Sequence, residues 1–352
     1  MQINRMISTV DTHTAGEPTR IITSGTPYIQ GKTMMEKKIW LQNNLDNVRK
    51  MLMLEPRGHK DMFGAIITEP VSDDADAGVI FMDSKGYLDM CGHGSIGSVT
   101  VLLNSGMIPI NDNSNIQKVV IDTPAGKITA HATIESGVAT DVRICNVPAF
   151  YYDRVVVTLP LLGDINVDIS YGGNFFALVN VKELKMDLEV KNIDKLTSIG
   201  LQIRNLINEL ITVIHPISGE RCQVPLTEIY QDAYLSAENC GFSEKDSFNK
   251  SNLKYHSKNV VVFGNGQIDR SPCGTGTCAK MAYLYKKGKL AIGEPYLHAS
   301  IIDTVFTGKI IGETLVGEKK AILPEITGRA YITGFHNFIV QKDDPFIEGF
   351  IL

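Results

Sequence analysis

Several things are scarce in this sequence, and each shortage excludes a class of protein. There are six cysteines in 352 residues and no C-x-x-C pair. That is too sparse for a disulfide framework, and Cys273 and Cys278, five apart with no histidine close by, lack the spacing of a structural zinc site. No apolar run approaches the ~18–20 residues that cross a bilayer. Positive charge is not in excess: 34 Lys and Arg face 39 Asp and Glu, a formal net charge of -5. A nucleic-acid partner, which needs a basic face, is therefore not expected. The opening stretch, MQINRMISTVDTHTAGEP, has no secretory hydrophobic region and meets Asp11 early. A cytoplasmic location with reduced thiols is expected.

What is present is an ordinary globular balance, 43% hydrophobic and 21% charged. A chain of this length can bury a sizeable core without staples, and at ~100–200 residues per domain it suggests two domains. Short runs rich in Val, Ile and Phe read as strands: Ala77–Met82, Val119–Ile121 and Val260–Phe263. Apolar residues recur on one helical face through Lys37–Leu54 and again through Ile193–Val213. The many short strands with glycine turns point to an α+β arrangement and disfavour a simple doubly wound parallel sheet. Met107–Ser114 reads as a turn-rich link from a helix to the next strand. Ala237–Lys258, the most polar and least periodic stretch, reads as a surface loop or short helical insertion.

An internal echo carries the chemistry. GYLDMCGHGSIGSVTVLLNSG runs from Gly86 to Gly106, and GQIDRSPCGTGTCAKMAYLYKKG from Gly266 to Gly288. Both contain Gly-x-[Leu/Ile]-Asp, then Cys-Gly-x-Gly-[Ser/Thr], then a helical run that stops at glycine. The interval from Cys91 to Gly106 equals that from Cys273 to Gly288; two extra residues precede Cys273. The pattern predicts two similar halves related by a pseudo-twofold axis. One spans residues 1–150, rejoined by 330–352, and carries Cys91. The other spans 151–329 and carries Cys273.

Each half would lead a strand into a glycine turn and a helix start. Bare N–H groups and the partial positive charge of a helix N-terminus suit a carboxylate, and they lower a thiol pKa. Two such starts facing one anion would set two cysteines on opposite sides of one carbon. One thiolate could then remove an α-proton while the opposite thiol returns one, with preorganised donors stabilising the enediolate-like carboxylate. This design requires no metal and no cofactor. Asp269, close before Cys273, could hold a substrate ammonium, whereas Asp89 reads as a turn cap. Cys145, Cys222 and Cys240 read as small buried hydrophobes, and Cys278 as helix packing. Gly92–Gly97 also fits G-x-G-x-x-G, but without a βαβ unit or a following acidic strand end the match is weak. CGTGTCAK is not a phosphate-binding P-loop.

These residues resemble the proline racemase family, which includes proline racemases, 4-hydroxyproline 2-epimerases and trans-3-hydroxyproline dehydratases. The likeness runs through DTHTAGEPTRI (Asp11–Ile21), LEPRGHKDMFGA (Leu54–Ala65), MCGHGSIG (Met90–Gly97), DISYGGNFFALV (Asp168–Val179), DRSPCGTGT (Asp269–Thr277) and ITGFHNF (Ile332–Phe338). The resemblance implies a diaminopimelate-epimerase-like fold. In it, two pseudo-symmetric α/β halves each wrap a central helix, with the active site in the cleft between them. It implies cofactor-independent catalysis by an isomerase on a small-molecule substrate, no membrane partner, and a homodimer. Cys91 and Cys273 would be the acid/base pair. Backbone N–H groups of Gly92, His93, Gly274 and Thr275 would hold the carboxylate, and Asp269 with the His93 side chain would hold the ring nitrogen. Phe63 and Phe263 would wall the ring. The dehydratases carry Thr at the second catalytic position, so Cys273 argues against that activity. Proline is the expected substrate because Met62 and Phe63 make an apolar wall, and 4-hydroxyproline is the alternative. A non-catalytic amino-acid binding protein and a thiol redox protein remain as other classes.

Overall fold

The computed structural model describes residues 3–111, 113–233 and 255–351. The chain divides into two compact units, Met1–Ile144 with Gly328–Leu352, and Cys145–Thr327. Among the described residues no helix is long and apolar enough to cross a membrane.

The first unit contains β1 (Ile3–Thr14), β2 (Glu17–Ser24), α1 (Met34–Asn44), α2 (Asp46–Met53), β3 (Phe63–Thr68), β4 (Ala77–Asp83), β5 (Tyr87–Leu88), α3 (Gly92–Asn104), β6 (Ile116–Thr123), β7 (Gly126–Glu135) and β8 (Val138–Cys145). β1 pairs antiparallel with β2, β2 runs parallel to β3, and β3 pairs antiparallel with β4. β4 pairs antiparallel with β5 and parallel with β6, and β6 antiparallel with β7. β4 has α1 and α2 against it as well as α3. All seven of its residues, AGVIFMD, are buried, and so the strand reads as an unbroken apolar run rather than an alternation. β7 alternates in burial along most of its length, the pattern of a strand with one covered face.

The second unit contains β9 (Ala149–Leu159), β10 (Gly163–Tyr171), β11 (Phe175–Asn180), α4 (Ile193–Leu210), β12 (Val213–Ile214), β13 (Arg221–Cys222), β14 (Leu226–Ala233), β15 (Tyr255–Phe263), β16 (Gln267–Asp269), α5 (Gly274–Lys286), β17 (Pro295–Ala299) and β18 (Val305–Val316). β19 (Lys319–Gln341) follows; its first part lies in this unit and its last part pairs with β1 in the other. The topology repeats that of the first unit. β10 pairs antiparallel with β11, β11 parallel with β14, β14 antiparallel with β15, β15 antiparallel with β16 and parallel with β17, and β17 antiparallel with β18. β18 pairs with β19, β19 with β9, and β9 with β10, so the mixed sheet closes on itself. α5 packs against β9, β10, β11 and β18.

Each central helix is enveloped by its unit. Every residue of α3 from Gly92 to Leu103, and of α5 from Gly274 to Leu284, is buried. A helix covered on all sides tolerates small residues and has no polar stripe. At Gly97 a Cβ would lie 2.9 Å from Thr12 Oγ1 of β1, so glycine lets that strand approach. Both helices stop at a glycine in the left-handed region, Gly106 (φ 75°) and Gly288 (φ 67°). After α5, Gly288 N–H donates to Tyr285 O at 3.0 Å and Lys289 N–H to Leu284 O at 2.9 Å, the paired closure of a Schellman motif.

Three sequence expectations need correction. Lys37–Leu54 is two helices, broken at Leu45, whose φ of -136° leaves the helical range. Leu45 is buried, and Asp46 restarts the chain with an ion pair to Arg49 at 2.6 Å. The helix read through Val213 ends at Leu210, because Val213 enters β12. Of Ala237–Lys258, the residues from Tyr255 onward form the start of β15 rather than a loop; 237–254 and Cys240 lie outside the described residues.

Candidate active site

In the first unit the chain leaves β5 and enters α3 at Cys91, the N-cap, in extended conformation (φ -146°, ψ 117°). Cys91 is 7% exposed and its Sγ accepts from Gly94 N–H at 3.4 Å. His93 is buried with both ring nitrogens 3.5 Å from Cys91 Sγ, and its ring meets Phe63 edge-on at 4.7 Å. The His93 carbonyl accepts from Thr14 Oγ1 at 2.9 Å, which fixes the first helical turn. Cys91, Gly92, His93 and Phe63 are thus one cluster. Asp89 stands apart: it is exposed and pairs with Lys38.

In the second unit the corresponding N-cap is Cys273, 6% exposed. Here the backbone differs, with φ 62° and ψ 111°, a conformation that a side-chain-bearing residue adopts only when its surroundings hold it. The two extra residues of the second motif supply the hold. Asp269 Oδ1 accepts from Ser271 N–H at 2.8 Å and from Ser271 Oγ–H at 2.7 Å, and Ser271 Oγ accepts from Cys273 N–H at 3.1 Å. The Pro272 carbonyl accepts from Asn259 Nδ2 at 2.8 Å. Thr275 Oγ1 lies 3.7 Å from Cys273 Sγ. Asp269, Cys273, Gly274 and Thr275 form the second cluster, and Phe263 pairs with Gln267 at the nearby β15–β16 turn.

The third residue after each cysteine was not among the candidates. A Cβ on Gly94 would lie 3.0 Å from Cys91 Sγ, and one on Gly276 would lie 3.3 Å from Cys273 Sγ. Glycine at both positions leaves room for the sulfur beside the helix start. The signal was available, since both glycines occupy the same place in the repeat. Ser271, also missed, lies in the part of the second motif that the first lacks.

The electrostatics depart from the expectation for a thiol at a helix start. Burial first, and the Asp269 carboxylate second, hold the Cys273 thiol well above its ordinary range; Glu228 adds to the rise. The Gly276 N–H and the Thr275 hydroxyl pull the other way and do not prevail. Desolvation and like charge outweigh the donors of the helix terminus here. Cys278, fully buried within α5, is pushed up to about 12 by burial. Cys145 and Cys222 are half-exposed rather than buried. Cys145 Sγ lies 3.8 Å from Glu325 Oε2 and Cys222 Sγ 3.7 Å from the Glu220 carbonyl.

Comparison with known proteins places these features in one lineage. A proline racemase from Acetoanaerobium sticklandii is 47% identical, covering 99% of this chain and 99% of that one. A proline racemase from Clostridioides difficile is 45% identical over the full length of both. The crystal structure of a hydroxyproline epimerase from Agrobacterium vitis, with bound trans-4-OH-L-proline, superimposes with a TM-score of 0.85 at 30% identity, covering 100% of this chain and 97% of that one. The family model described as proline racemase matches residues 9–351. A match of that extent, over a chain whose two buried helices both begin at a cysteine, makes this protein a member of the proline racemase family.

Proposed function

We propose that this protein interconverts L- and D-proline without a cofactor, with Cys91 and Cys273 as the two acid/base groups. One observation carries the reading. Each unit encloses a buried helix whose N-cap is a buried cysteine with a bare glycine against its sulfur. Full-length identity of 45–47% to proline racemases supports the substrate class.

The reading requires the two sulfurs to flank one substrate carbon. The backbone N–H groups of Gly92, His93, Gly274 and Thr275 would then hold the carboxylate at two helix starts. They stabilise the charge that moves onto it as the α-proton leaves. Cys273, held as a thiol by burial and Asp269, is the proton donor of the resting form, which leaves Cys91 as the base. A cationic ring nitrogen beside Asp269 offsets the carboxylate charge that opposes the Cys273 thiolate, so substrate binding eases the proton off that sulfur. The His93 ring, beside Cys91, contributes to the same nitrogen site. Phe63 and Phe263 wall the ring.

Incubation of L-proline in D₂O should give falling optical rotation together with deuterium at Cα. Cys273→Ser with near-normal racemisation would overturn the two-thiol mechanism. A second reading, epimerisation of 4-hydroxyproline by the same groups, is favoured by the structural likeness to the epimerase holding trans-4-OH-L-proline. Buried Met62 and Phe63 offer a hydroxyl no partner, but apolar pockets reject an added hydroxyl only ~10²-fold. Comparing kcat/KM for proline and trans-4-hydroxyproline separates the two.

A further inference from the structure

Below the start of α5 lies a buried polar cluster that the proposed chemistry does not use. Glu228, in β14, is completely buried. Along that strand, Thr227 turns toward α4, where its hydroxyl donates to Gly200 O at 2.8 Å. Glu228, Tyr230 and Asp232 turn toward α5 instead. Neither Glu228 carboxyl oxygen has a hydrogen bond of ordinary geometry among the described residues. A buried carboxyl group without such partners is costly, and the cost is far larger when it is charged.

Its surroundings identify what it serves. A Cβ on Gly276 would lie 2.8 Å from Glu228 Oε2 and 3.3 Å from Cys273 Sγ. Carboxyl and sulfur therefore lie within about 6 Å of each other, the range at which one negative charge disfavours a second. The other oxygen, Oε1, lies 3.5 Å from His298 Nε2. His298 Nδ1 is 3.0 Å from Thr277 Oγ1, and Thr277 donates its single hydroxyl proton to the Cys273 carbonyl at 2.8 Å. Thr277 then accepts from His298 Nδ1–H, and in the neutral imidazole that burial favours, Nε2 is an acceptor facing Glu228. Two acceptors facing each other are reconciled by a proton on the carboxyl group.

We propose that Glu228 is a positioning residue for Cys273: a buried carboxylic acid that, by holding its proton, keeps negative charge away from the sulfur, and that faces the His298–Thr277 pair bonded to the Cys273 carbonyl. The groups facing it agree. Burial raises Glu228 to about 8, with Asp232 adding to the rise and Lys280 and the Asn259 amide opposing it. Burial, with Lys280 nearby, holds His298 well below its ordinary range, so the imidazole is neutral. Lys280, fully buried, donates to Asp232 at 3.2 Å and lies over the Tyr230 ring. On β11 the register partner of Glu228 is Leu178. From β16, Asp269 is the second carboxylate acting on Cys273.

The proposal rests on the reading of Cys273 as a catalytic thiol, and its test does not use turnover. Glu228→Gln retains a donor toward His298 and removes the ionisable charge. Iodoacetamide labelling of Cys273, followed by mass spectrometry from about pH 6 to 10, reads the thiolate directly. Labelling of variant and wild type should coincide below about pH 7. Above about pH 8, where Glu228 ionises in the wild type, the variant should label Cys273 about tenfold faster, one unit of thiol pKa. Labelling of Cys91 should not change. Superimposable Cys273 curves throughout, or an equal change at both cysteines, would overturn the proposal. If the variant does not fold, infrared titration of the wild type serves: a carboxylic acid band present at about pH 6 should fade above about pH 8, and its absence at the lower pH is the contrary result. Failure to racemise proline with this labelling pattern intact would count against the function alone.

Discussion

Asp269 has two opposed consequences at Cys273, and that makes the pair testable. The carboxylate opposes ionisation of the thiol, yet under the proposed function it holds the substrate nitrogen. Asp269→Asn keeps the oxygen that Ser271 donates to and removes the charge. Racemisation should fall about 10- to 100-fold in kcat/KM, the worth of one charge-assisted hydrogen bond. Cys273 alkylation at a fixed pH should become faster. A variant in which both rates fall would point to a collapsed site. The repeat made Cys91 and Cys273 legible as candidates, because it sets them at matched positions before a helix, and Asp269 stood out by its nearness to Cys273. It could not reveal the thiol's raised pKa. That depends first on burial, then on the Asp269 carboxylate, with a smaller part from Glu228, which the chain brings beside Gly276 only by folding. In the sequence, Glu228 sits in TEIYQDA as one polar residue of an alternating strand.

At the scale of elements, the two helix starts differ where their sequences differ. Cys91 caps α3 in an extended conformation, while Cys273 caps α5 at positive φ, tied down by Ser271. Ser271→Ala removes the acceptor of the Cys273 N–H and the hydroxyl bond to Asp269. It should cost about 1–2 kcal/mol, a fall of a few degrees in Tm, with loss of Cys273 reactivity and unchanged Cys91 labelling. An unaltered Tm and Cys273 labelling rate would show that the strained cap is held by other means. Parts of β4, β6 and β15 were legible as apolar runs, α4 from its periodicity and the helices after each cysteine from the repeat, while the other strands were not read. The break at Leu45 was not, since an apolar residue at the right spacing reads as helix whether or not its backbone stays helical.

For the whole molecule, the buried cluster predicts an uneven response of stability to pH. Glu228 has its folded value raised to about 8, so the folded state holds a proton that the unfolded chain releases at lower pH. Its contribution is fully present below the ordinary carboxylate range and is lost as pH rises toward 8. Lys280 has its folded value lowered to about 8. The unfolded chain then binds the extra proton above that, and stability recovers as pH rises from 8 toward the ordinary lysine range. Thermal melts of wild type and Glu228→Gln should therefore diverge between about pH 5 and 8, the variant becoming relatively more stable as pH rises. Parallel curves over that window would contradict the assigned proton. The repeated topology was legible as a repeat. The closure of the second unit's sheet was not, because the pairing of β9 with β19 joins residues far apart in the chain and leaves no local pattern.

β19 has a consequence for how the protein comes off the ribosome. Its first residues complete the ring around α5 through β18 and β9, and its last residues give β1 a neighbour on the side away from β2. A nascent chain emerging N-terminus first must carry β1 with one edge bare until β19 has been made. One late segment finishes both units, so folding of the first cannot run ahead of synthesis of the second. Non-local pairing of this kind is slow to form, and that bare edge is the place where a chaperone, or another half-made copy, would attach first.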